Sequence, residues 1–169
     1  YCMKEKIEVS EFKNLKGIEY FDFEEDFVEE NMRCIPMIVR FKMDAAGIKL
    51  KLAEWSKFTV EERIQLAIQN CDTELNVEAY NNILSSIIKS HTGNDATILA
   101  IDPKPDWKNL SVIPTLLNEK LIQYKLTINI SQWKSLSNLQ RFALIKLSKE
   151  SHESKNLPKA LKEFGLLEK

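Results

Sequence analysis

The residue types able to do chemistry are few in this chain, and they stand apart. Three cysteines (Cys2, Cys34, Cys71) and two histidines (His91, His152) occur singly, with no Cys-x-x-Cys pair. A zinc site legible from spacing needs clustered ligands, so no metal is expected. An odd cysteine count is a poor disulfide framework and suits free thiols in a reducing compartment. The four glycines are all isolated, which leaves no way to write a dinucleotide fingerprint or a P-loop. Cys71 shares an apolar stripe with Val60, Ile64 and Ala67 and reads as a small core residue. His91 ends a helical pattern, where an imidazole can bond free carbonyls, and His152 reads as part of a polar linker. Carboxylates crowd residues 22–30, but acid–base work needs environments that push two pKa values apart, which an exposed run rarely supplies. Catalytic residues and cofactor sites are therefore not assigned.

The elements that must position these residues are helical. A helix should open at Pro36, whose missing N–H costs nothing in a first turn, and stop at Gly47, the favoured residue just past a helix end. Met37, Ile38, Val39, Phe41, Met43, Ala45 and Ala46 cover nearly every direction around it, which predicts a central, buried helix. Arg40 and Asp44, four apart, share its polar strip, and Arg33 and Lys42 are the other charges around it. Two readings of these charges stand together: local pairing at the helix ends, or a partner-facing surface that includes Arg33 and Arg40.

Sliding the chain on itself by 78 positions brings Ile48-x-Leu50-x-Leu52-x-x-Trp55-x-x-Phe58 onto Leu126-x-Ile128-x-Ile130-x-x-Trp133-x-x-Leu136, then Arg63 onto Arg141 and Leu66 onto Leu144. Each copy holds an alternating apolar segment, a tryptophan in a single helical turn, and a capping pair that opens a helix. The pairs are Thr59 with Glu62 and Ser137 with Gln140. This order predicts an internal duplication over about residues 47–92 and 125–169, with Trp55 and Trp133 as equivalent core residues. The two alternating segments are candidates to pair as one short two-stranded ladder. Further helices are expected over 76–91 (closed by Gly93), from Pro114 to about Tyr124, and from near Asn156 to Gly165. Residues 94–113 read as a loop because Asp102-Pro-Lys-Pro-Asp106 cannot sustain a helix. The fold class is mainly α: a loosely held arm, residues 1–17, and one compact helical domain, residues 18–169.

At 169 residues, 44% apolar and 29% charged, the composition is that of an ordinary globular domain. No apolar run approaches the roughly 18–20 residues that span a bilayer. The opening residues lack the apolar core of a signal peptide, and a cytoplasmic protein without membrane contact is expected. A net charge of −1 and the lack of a basic stripe argue against nucleic acid. The charge is uneven, however: residues 1–31 hold ten acids and four bases, residues 119–169 ten bases and five acids. In residues 21–30, Phe21, Phe23, Phe27 and Val28 alternate with acids. The aromatic side is expected to be anchored, while Asp22, Glu24, Glu25 and Asp26 face outward to steer a basic partner surface. The competing reading has the chain's own basic third hold these acids.

Phe21-Asp-Phe-Glu-Glu-Asp-Phe-Val28, followed by Arg33-Cys-Ile-Pro-Met37, Arg40-Phe-Lys42, Asp44 and Gly47-Ile-Lys49, resembles the signature of the nitrate-reductase-associated protein family. Gln140-Arg-Phe-Ala-Leu-Ile-Lys-Leu-Ser148, with His152-Glu153, Asn156 and Glu163-Phe-Gly-Leu166, is similar to the family's second block. The resemblance spans about residues 18–167 and implies a non-catalytic accessory that makes or keeps nitrate reductase active, or serves a related redox enzyme. It implies no residue-level active site. Two other classes fit the residues: a small-molecule or cofactor carrier with a cleft between the repeat halves, and an enzyme without a legible motif.

Overall fold

Pro36 and Gly47 set the limits of the first helix, α1 (Met37–Ala46), as their backbone chemistry requires. Gly47 adopts φ 75° and turns its N–H back to the Met43 carbonyl. A Cβ there would lie 3.1 Å from the Ile101 side chain and 3.2 Å from the Leu99 carbonyl oxygen. The computed structural model describes Phe12 and residues 18–24, 35–149 and 154–167. Among these it is mainly helical, with eight α-helices and one two-stranded antiparallel sheet. The described residues divide into two compact units, one of Phe12, 18–20, 24 and 35–101, the other of 21–23, 102–149 and 154–167.

In the first unit α1 is followed by β1 (Ile48–Lys49), α2 (Leu52–Trp55), α3 (Val60–Ile68), α4 (Glu74–Thr92) and β2 (Thr97–Ile98). α1 packs on α3, α4 and β1, and none of its residues is exposed. Its Val39 and Met43 join Trp55, Phe58, Leu66, Tyr80, Leu84 and Ile88 in one core. Phe12, placed by sequence in the loose arm, is buried in this core with its ring stacked on Trp55 at 6.2 Å. The rest of residues 1–17 lies outside the described residues.

The ladder corrects one expectation. β1 pairs with β2, Ile48 opposite Ile98 and Lys49 opposite Thr97, and not with residues 126–130. The Leu99 N–H extends the pairing to the Gly47 carbonyl at 2.9 Å. The segment read as loop thus contains a β-branched Thr-Ile pair that α4 returns to the end of α1.

The second unit contains α5 (Thr115–Gln123), α6 (Ile130–Ser135), α7 (Asn138–Lys149) and α8 (Leu157–Glu163). α7 is its centre: Leu139, Phe142, Ala143, Leu144, Ile145 and Leu147 are all buried, and α5 and α8 pack on it. A helix apolar on nearly all sides must be enclosed.

Each unit carries the same local motif around its tryptophan. The Thr59 N–H donates to Glu62 Oε1 at 2.8 Å and the Glu62 N–H to Thr59 Oγ1 at 3.1 Å; Ser137 and Gln140 repeat this at 2.9 and 3.1 Å. Arg63 donates to the Phe58 carbonyl and stands 5.9 Å from the Trp55 ring. Arg141 donates to the Leu136 carbonyl and stands 6.0 Å from the Trp133 ring. Both indoles are fully buried. The likeness is local. The first motif leads into the 19-residue α4, whereas α8, which follows the second, has seven residues. One further difference is chemical: Trp133 Nε1–H donates to the Asn109 carbonyl at 2.9 Å, while Trp55 Nε1–H has no acceptor among the described residues.

Truncating either indole leaves a large cavity, so Trp55→Ala and Trp133→Ala should each lose about 3–5 kcal/mol in urea unfolding. Gly47→Ala should lose about 1–2 kcal/mol, because its left-handed backbone opposes a Cβ.

Candidate functional site

Among the described residues that looked available for recognition, Phe21 and Glu24 are engaged inside the fold. Phe21 and Phe23 are buried, stacked on each other at 5.4 Å, and pack on Phe164 at 5.0 and 6.2 Å. The N–H groups of Asp22 and Phe23 donate to the two oxygens of Glu163 at 3.0 and 3.1 Å. One carboxylate thereby caps the short 3-10 turn Asp22–Glu24. The Asp22 side chain is exposed.

Glu24 does not face outward as expected. It is 1% exposed, and its Oε1 accepts the Met37 N–H at 2.7 Å. Pro36 supplies no side-chain acceptor to α1, so a carboxylate from outside the helix takes the first free N–H, where the helix dipole also favours negative charge. Glu25, Asp26 and Arg33 lie outside the described residues, as do Phe27, Val28 and His152. Arg40 and Asp44 are half-buried, and Arg40 Nε–H donates to the Ile35 carbonyl at 2.9 Å.

Among the described residues, Cys71, Lys42, Tyr80 and His91 are likewise engaged. Cys71 is half-buried with its Sγ 3.5 Å from the Lys42 carbonyl, and burial pushes its thiol up to about 11. Lys42 Nζ–H donates to the Ala67 carbonyl at 2.7 Å, and burial lowers its pKa against the opposing charges of Cys71 and Asp72. Tyr80 O–H donates to the Leu66 carbonyl at 2.7 Å, and burial raises its pKa. His91 was expected on free helix carbonyls. Instead its Nε2 lies 2.7 Å from Glu62 Oε1, with its ring against Phe58 at 5.6 Å. Glu62 serves two partners: burial would raise its carboxyl, but the Thr59 N–H and the His91 ring hold it below the ordinary carboxylate range. Among the described residues no group of three or more His, Cys, Asp or Glu side chains could hold a metal ion.

Beside the end of α1 and the first two turns of α4 lies a shallow, open groove of about 460 Å³. Ala46 and Val77 give it an apolar floor, and Asp72, Thr73, Glu74, Glu78 and Asn81 line the rest. Thr73 caps α4 by accepting the Asn76 N–H at 3.1 Å, and Asn81 Nδ2–H donates to the Ala46 carbonyl at 2.8 Å. The sequence reading placed a helix over 76–91 without singling out this face. The legible signal was Glu74, Val77, Glu78 and Asn81 at i, i+3, i+4 and i+7, a single helical stripe that is mostly polar.

A family model described as conserved nitrate reductase-associated protein matches residues 20–164, which include both the capped turn and all eight helices. The chain belongs to the nitrate reductase-associated protein family. No curated protein and no solved structure is similar enough to count as a match. The matched region begins at Tyr20 and ends at Phe164, so it takes in Phe21, Phe23 and Glu163, the residues that hold the turn.

Glu24→Ala should lose about 1.5–3 kcal/mol of stability in urea unfolding, the range for a hydrogen bond to a charged group. An outward carboxylate would leave stability unchanged. For Glu62 the sign follows from its lowered pKa: its stabilising contribution is full above the ordinary carboxylate range, about 4.3, and is lost as pH falls through the folded-state value. The stability difference between wild type and Glu62→Gln should therefore be largest near neutral pH and shrink on acidification.

Proposed function

We propose that this protein is a non-catalytic accessory, maturation or stabilising factor that supports nitrate reductase by protein–protein binding in the cytoplasm. The observation that carries the reading is the family match across residues 20–164, whose description names association with nitrate reductase and not the reductase itself. The side-chain chemistry supports it. The thiol of Cys71 is held protonated by burial, Glu24 caps a helix, and Glu62 and His91 are paired with each other. Groups so engaged hold the fold and leave little for turnover. Among the described residues no helix is long and apolar enough to cross a membrane. A carrier would need an enclosed apolar pocket. The groove beside α1 and α4 is open and rimmed by carboxylates, which suits a protein surface better.

Purified nitrate reductase from the same cells provides the test. Sedimentation of the mixed proteins should show a complex, and the reductase should keep its activity longer at elevated temperature with the accessory present. Absence of a complex at micromolar concentrations, together with an unchanged half-life of the reductase, would overturn the reading.

A further inference from the structure

We draw no further inference here: the strongest candidate, the surface patch of exposed apolar side chains Leu110, Val112 and Leu116 that leads into α5, carries nothing because nothing in the structure shows what covers it.

Discussion

The fold depends on how it satisfies the ends of its helices. An α-helix leaves four N–H and four C=O groups without intrahelical partners, whatever its length. Here seven of the eight described helices have 12 residues or fewer, and α2, α6 and α8 have four, six and seven. In helices this short almost every backbone group is an end group. Side chains from elsewhere must supply the partners. Glu24 takes the first N–H of α1, and Asn81 donates to its last carbonyl. Lys42 and Tyr80 donate to adjacent carbonyls at the end of α3. Arg63 and Arg141 bond the Phe58 and Leu136 carbonyls, just before the capped starts of α3 and α7. Each bond ties one element to another, so the capping chemistry is also the tertiary structure.

This explains which parts of the molecule could be read from its sequence. Helix limits were legible where the signal is local: Pro36 and Gly47 for α1, Thr59 with Glu62 for α3, Ser137 with Gln140 for α7. The burial of Trp55 and Trp133 was legible because a repeated spacing marked both. Caps donated across long stretches of chain were not legible. Glu24 sits in an acidic run that looks solvated, and nothing nearby shows that α1, 13 residues on, lacks an acceptor. Glu163 is more distant still from the turn it caps. The partner of β1 was out of reach for a different reason: two-residue strands have no periodicity to detect.

The same constraint bears on function. Counting charged residues in the sequence overstates what a partner can meet, because Glu24, Lys42, Arg63, Arg141 and Glu163 all spend hydrogen bonds on the chain's own backbone. Glu74 and Glu78 bond nothing within the described residues. Of the described members of the conspicuous acidic run, Phe21, Phe23 and Glu24 are buried and Asp22 is exposed. The family match covers both kinds of residue and so does not choose between them.

The cap on the Asp22–Glu24 turn has a consequence for the order in which the protein can be assembled. The N–H groups of Asp22 and Phe23 find their acceptor 141 and 140 positions later in the chain. At translation rates of roughly 5–20 residues per second, that separation lasts on the order of ten seconds. Throughout that interval Phe21 and Phe23 have no Phe164 to pack against, and two aromatic rings stand open on the nascent chain. The described residues among 24–101 group in one compact unit, while 21–23 group with residues from 102 onward. A segment made early is thus secured late.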